Sequence, residues 1–252
     1  MDFWQPNFEF YEATAGDERA FVTVDLAAAR RAPLATHTLR LQLRVKMLKP
    51  RPDGLRSNEE ADALFALEDK IEKALREGAE GIYVGRVVTQ GFTEFIFYGP
   101  ALQQPKLDAP GKLIGDVRPY ELEGFTESDP EWNKYSELYP NPWAWQSIMN
   151  RRLLKVMRDD GDQLHIPRQI DHLALFPSEE HAKKAGESLE KAGFTVLPVT
   201  PPEGEERGWA LEFKRSDACD NGKPDLFVSE ILDIVVPLEG EYDGWGSEVQ
   251  KQ

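Results

Sequence analysis

His37-Thr38-Leu39-Arg40-Leu41-Gln42-Leu43-Arg44-Val45-Lys46-Met47 alternates without a break, leucine, valine and methionine on one side and threonine, arginine, glutamine and lysine on the other. Successive strand side chains point to opposite faces, so this period of two predicts a strand with one buried face. After a turn around Pro52-Asp53-Gly54, Ser57 and Glu60 stand at capping-box spacing, and Leu64, Leu67, Ile71 and Leu75 make one helical stripe that runs to a stop at Gly78. Gly81 to Thr89 and Phe92 to Tyr98 read as two strands joined at Gln90-Gly91. A looser segment follows from Ala101 to Leu113, and Tyr120 to Phe125 reads as a further strand. Residues 3–12 and 19–26 add an N-terminal hairpin.

The second half repeats the order. Asn141 is placed to cap a helix that Pro142 opens, with Trp145, Met149, Leu153 and Val156 at helical spacing before Gly161. A strand at Ile170 to Phe176 comes next, then a helix from Ser178 to Gly193, strands at Phe194 to Val199 and Trp209 to Lys214, and a helix beginning near Pro224. Tyr242-Asp243-Gly244-Trp245-Gly246 closes the series and reads as an Asp-Gly turn flanked by aromatics. Between Glu127 and Trp143 stand three prolines and no strand pattern, which sets a boundary at Asn141. The expectation is α+β: two tandem domains, 1–140 and 141–252, each a ferredoxin-like βαββαβ unit, the first with the extra hairpin.

Composition narrows the function classes. The 252 residues are 40% hydrophobic and 30% charged, which suits packed cores and excludes disorder and fibres. No stretch has the roughly 18 uninterrupted apolar residues of a membrane helix, and Met1-Asp2-Phe3-Trp4 lacks the basic and apolar regions of a leader, so the expected location is the cytoplasm. Cys219 is alone and His37, His165, His172 and His181 are scattered, so neither a disulfide nor a metal is expected. Before Asn141, 17 lysines and arginines face 24 acids (−7); from it onward, 13 face 21 (−8). Acidity on both halves argues against direct nucleic-acid binding and for basic protein partners. No cofactor is expected.

The signatures of common enzymes are absent: no phosphate-binding helix loop, nucleophile elbow or His-Glu-x-x-His helix. Gly81, Gly85, Gly91 and Gly99 lie in or beside strands and read as bulges and turns. Gln90 to Phe97 partly matches the RNA-binding strand of an RNA-recognition module, but Glu94 stands where a second base-stacking aromatic belongs. The row Arg40, Arg44 and Lys46, joined by Arg86, is an anion-binding candidate whose plainer reading is a solvated face paired with Glu94, Glu121 and Glu123. Asp171 and His172 are adjacent on a strand and point to opposite faces, which excludes a catalytic dyad. From Glu203 to Glu248, 13 acids face Arg207, Lys214, Arg215 and Lys223, a local balance of −9.

Residues 142–250 resemble the regulator of ribonuclease E activity B family, through Gly161-Asp162, Arg168-x-x-Asp171-His172, Gly193-Phe194-x-Val196 and above all Glu241-Tyr242-Asp243-Gly244-Trp245-Gly246. The resemblance implies an acidic, ferredoxin-like, non-catalytic protein that inhibits an RNA-degrading enzyme by binding it. It makes Asp171, His172, Tyr242, Asp243 and Trp245 the partner-binding candidates, with Tyr242 and Trp245 open to a core role. The first 140 residues resemble a bacterial domain family of unknown function, through Asp53-Gly54-Leu55, Glu59-Glu60, Tyr83-Val84-Gly85-Arg86, Phe95-x-Phe97-Tyr98 and Asp129-Pro130-x-Trp132-x-x-Tyr135. The expected function is regulation through a protein partner; the rival is a small-molecule sensor or hydrolase on the Arg40, Arg44, Lys46 and Arg86 face.

Overall fold

A computed structural model describes residues 4–202 and 208–251. Phe3 of the expected hairpin and Glu203, Glu205, Glu206 and Arg207 of the acidic run lie outside the described residues. The chain divides into two compact units, Met1–Pro140 and Asn141–Gln252, each α+β and each built on one antiparallel sheet.

In the first unit, β1 (Phe8–Ala15) and β2 (Glu18–Asp25) precede β3 (Leu39–Lys46), α1 (Asn58–Ala79), β4 (Ile82–Thr89) and β5 (Phe92–Gly99). Two short helices, α2 (Gln104–Leu107) and α3 (Gly111–Ile114), lead to β6 (Leu122–Ser128) and α4 (Asn133–Leu138). The sheet order is β1-β2-β4-β5-β3-β6. The alternating stretch forms β3, with the buried face that was expected, and the sheet places it between β5 and β6. Leu41, Leu43 and Val45 are wholly buried and pack with Phe95 and Phe97 against the α1 stripe of Leu64, Leu67, Ile71 and Leu75. The looser segment becomes two one-turn helices, because Pro105 and Pro110 cannot donate the amide bonds of a continuous helix.

Both ends of α1 correct the sequence reading. Ser57 makes no side-chain cap, and the Glu60 carboxylate turns away to accept the amides of Leu48 and Lys49 at 2.7 Å each. The helix runs past Gly78 to Ala79 and ends at Glu80, whose φ of 55° sends its amide to the Leu75 carbonyl. Gln90 and Gly91, with φ of 51° and 81°, form the tight hairpin turn between β4 and β5.

The stretch assigned to the boundary is largely structured within the first unit. Trp132 stacks on Tyr98 at 4.1 Å and 10°, and its indole N–H donates to the His37 carbonyl at 2.7 Å. Asp129 accepts the Tyr98 hydroxyl (2.6 Å) and the amides of Asn133 (2.9 Å) and Lys134 (3.1 Å). Residues 129–138 thereby cover part of the sheet face opposite α1.

The second unit holds α5 (Pro142–Asp159), β7 (Arg168–Phe176), α6 (Glu179–Lys191), β8 (Thr195–Val196), β9 (Trp209–Asp217), α7 (Lys223–Val235) and β10 (Glu241–Gly246), with sheet order β10-β7-β9-β8. Asn141 caps α5 by accepting the Ala144 amide at 2.9 Å, and Ser178 caps α6 at the His181 amide. β8 is shorter than expected: the Phe194 amide turns back to the Leu189 carbonyl at 3.0 Å, and Pro198 has no amide to give a ladder. The expected turn at 242–246 is instead β10, an edge strand paired with β7.

One backbone device recurs in both units. In β4 the pairs Tyr83↔Phe97 and Gly85↔Ile96 leave Val84 as an extra residue. In β10 the pairs Tyr242↔Ala174 and Gly244↔Leu173 leave Asp243 as one. Such a bulge resets the alternation, so side chains three apart fall on the same face. Gly85 (φ 156°) and Gly244 (φ 124°) sit where side chains are disfavoured, and a Cβ on Gly85 would lie 2.3 Å from the Thr23 carbonyl oxygen.

Each unit carries its own apolar core, so residues 1–140 and 141–252 expressed separately are each expected to unfold in one cooperative transition. Thermal and denaturant melts check this, and loss of cooperativity in both fragments would contradict it.

Candidate functional site

The residues that carry the resemblance of the second unit, 142–250, converge on the β7–β10 edge and the helices beside it. His172 lies on the buried face of β7 at 3% exposure, enclosed by Phe213 stacked at 5.2 Å and by the edges of Phe194 and Phe227, each at 5.5 Å. Its Nδ1 meets the Tyr242 hydroxyl at 2.8 Å, while Nε2 is buried with no hydrogen-bond partner. Desolvation, with the Arg215 charge adding to it, pushes the imidazole down to about 3. The Tyr242 hydroxyl is raised by burial. His172 is thus a neutral core side chain.

The bulge at Asp243 explains why two aromatics three residues apart serve the same interior. Trp245 pairs with His172 in register, meets Phe227 edge-on at 5.6 Å and donates its indole N–H to Asn150 Oδ1 at 2.8 Å. Asn150 in turn donates to Asp225 at 2.8 Å, and Gln146 donates to the Tyr242 carbonyl at 2.9 Å. These bonds fasten α5 and α7 to the edge strand. Of the five partner-binding candidates, His172, Tyr242 and Trp245 face inward, while Asp171 and Asp243 are exposed. Asp171 lies on the other face of β7, opposite Lys214, and accepts from Gln169 at 2.8 Å.

The other motif residues also have internal partners. Arg168 and Asp162 form a buried ion pair at 2.6 Å, their side chains 3% and 0% exposed. Asp162 also accepts the Gln250 amide at 3.1 Å, tying down the segment after β10. A pair so enclosed is costly to break from one side, because the remaining charge stays buried. The exposed remainder of the edge is acidic: Glu239, Glu241 and Asp243 all face solvent. Charge along an edge strand keeps it from pairing with other sheets.

The basic row of the first unit is not brought together as expected. Arg40 pairs with Glu127, and Arg44 lies 3.7 Å over Phe92 with Glu94 at 3.9 Å, so these two charges are answered locally. Lys46 is exposed at the end of β3. Arg86 is on the opposite face, paired with Glu68 of α1 and over Phe65 at 5.2 Å. The Val84 bulge is the cause: it puts Arg86 on the same side as Tyr83, whose hydroxyl donates to Glu68 at 2.6 Å. Arg44 also occupies the Phe92 ring on which a base would stack. Among the described residues no cluster of histidine, cysteine and carboxylates has the makings of a metal site, and Cys219 is buried. No helix among them is long and apolar enough to cross a membrane.

Comparison with known proteins gives two family matches. Residues 6–139 match a family of unknown function (DUF695), and residues 147–247 match regulator of ribonuclease activity B. No curated protein matches the chain. Similar solved structures include an unknown protein from Galdieria sulphuraria, 9% identical with 84% of this chain and 99% of that one covered, at a TM-score of 0.23. Another is a mutant chlorite dismutase from Candidatus Nitrospira defluvii, 9% identical with 86% and 91% covered, also at 0.23. Likenesses at that score carry no argument.

The buried imidazole makes stability depend on pH. Its folded value of about 3 lies below the unfolded value, so its contribution is full above pH ~6.5 and is lost as pH falls towards 3, by at most about 1.4 kcal/mol per pH unit. Urea melts between pH 7 and 4 are expected to show a steeper loss for the wild type than for His172→Gln; parallel curves would contradict this.

Proposed function

The chain belongs to the family of unknown function (DUF695) through residues 6–139 and carries a regulator of ribonuclease activity B domain at 147–247; from that premise we propose that it is a non-catalytic regulator that binds an RNA-degrading endonuclease of the ribonuclease E type. The observation that carries the reading is the match at 147–247, whose residues form one of the two compact units. We read both units as ferredoxin-like βαββαβ folds: in each, the strand before the helix is central and the hairpin strand after it lies beside it. The orders β6-β3-β5-β4 and β10-β7-β9-β8 support this.

The chemistry of the second unit fits binding better than catalysis. Its polar motif residues are spent on one another: His172 on Tyr242, Trp245 on Asn150, Arg168 on Asp162. At the β10 edge what faces outward is carboxylate, Glu239, Glu241 and Asp243, and a basic segment of the endonuclease is the complementary surface. Attraction between the two speeds encounter more than it deepens affinity. The protein acts in the cytoplasm, touching neither membrane nor nucleic acid directly.

Adding the full chain to an endonuclease of this type is expected to slow cleavage of a single-stranded RNA at near-stoichiometric ratios. Glu241→Lys combined with Asp243→Lys is expected to reduce the association rate about tenfold at low salt, with the melting temperature unchanged. Cleavage unaffected by excess protein, or association insensitive to salt, would contradict the proposal.

A further inference from the structure

The first unit contains a cavity of about 600 Å³ on the α1 side of the sheet, away from the Arg40 and Arg44 row. Its size falls within the roughly 300–1,000 Å³ of small-molecule sites. It exists because β1 and β2 extend the sheet beyond the width that α1 covers, and the segment before β1 folds back over the gap. The walls are aromatic: Trp4 on the returning segment, Phe8 on β1 and Tyr83 on β4, with Phe8 and Tyr83 5.3 Å apart. Phe8 is 39% exposed, so a large apolar ring stands at the cavity wall and not within a core.

Three carboxylates, those of Asp25, Glu72 and Glu80, line the same cavity against the single guanidinium of Arg76. Glu72 and Arg76 answer each other at 2.9 Å. Asp25 is fully buried and takes the Trp4 indole N–H at 2.5 Å and the amides of Asn7 (2.7 Å) and Ala27 (3.0 Å), which fixes the aromatic wall in place. Glu80 is exposed; its carboxylate accepts from the neutral amide of Gln103 at 2.8 Å, and His37, whose ring meets the Glu80 carbonyl oxygen at 3.1 Å, is the titratable group beside it. The cavity also lies at the C-terminal end of the 22-residue α1, where the helix dipole is negative. That end already draws the Lys106 ammonium to the Gly78 carbonyl at 2.8 Å. Aromatic faces, surplus carboxylate and a negative helix end all favour positive charge, and the rings favour a cation with an apolar shell.

We propose that this cavity binds a small organic cation of the alkylammonium class, its charged end directed at Glu80 and its alkyl shell against Phe8, Trp4 and Tyr83. The site is independent of the ribonuclease reading and belongs to the other unit.

Isothermal titration of the full chain with choline tests it, with 3,3-dimethylbutan-1-ol as the neutral isostere and benzoate as the anion of similar size. One choline is expected to bind per chain with a dissociation constant below about 1 mM, at least tenfold tighter than either control. Phe8→Ala is expected to weaken choline binding about tenfold and Glu80→Gln about threefold. Glu80→Gln leaves the core untouched, so it decides the matter if Phe8→Ala fails to fold. Choline that does not saturate by about 10 mM, benzoate or the isostere binding as tightly, or Glu80→Gln binding like the wild type would each overturn the proposal.

Discussion

A strand repeats every two residues, so side chains three apart belong on opposite faces unless the backbone takes in one residue more. The interior of both units depends on that exception. In Tyr83-Val84-Gly85-Arg86 and in Tyr242-Asp243-Gly244-Trp245 the second residue is extruded and a glycine takes the positive φ that follows. Tyr83 and Arg86 then reach one carboxylate, Glu68. Tyr242 and Trp245 reach one interior, the first at His172 and the second at Asn150. Without the extra residue Trp245 would point off the sheet's outer face, and α5 would lose its tie to the edge strand.

That arrangement separates the packed interior of the edge from its charged exterior. Aromatic and polar groups of the edge turn inward and bond to one another, Tyr242 to His172, Trp245 to Asn150 and Gln146 to the Tyr242 carbonyl, while His172 Nε2 and Ser247 Oγ stay buried without a hydrogen-bond partner. The acids that remain outside are held on a strand whose geometry the interior dictates. An edge of this kind presents a charged rim, the sort of surface that acts on an oppositely charged body at a distance.

Much of the fold was legible where one face of an element is buried and the other wet. Leu39 to Met47 and the stripe Leu64, Leu67, Ile71 and Leu75 are of this sort, and the caps at Asn141 and Ser178 are local chemistry that needs no tertiary contact. Illegibility began where long-range contact decides. Nothing near Trp132 in sequence tells that Tyr98 will stack on it. Asp-Gly at 243–244 signals a turn because turns and bulges use the same positive φ, and only pairing with β7 separates them. The face of Arg86 was hidden for the same reason: counting by twos fails across Val84. The cavity beneath Trp4 had no signature in the sequence, since it is a gap left by the widths of a helix and a sheet.

Trp245 ties the edge strand to α5 from the inside. Trp245→Ala tests this most directly when unfolding free energy and affinity for the proposed endonuclease partner are measured on the same variant. Truncating a large packed side chain and orphaning Asn150 predicts a loss of about 3 kcal/mol in stability, with affinity at a temperature where the variant is folded unchanged within about twofold. Intact stability together with an affinity loss of about 2 kcal/mol or more would make Trp245 an exposed anchor and contradict the account.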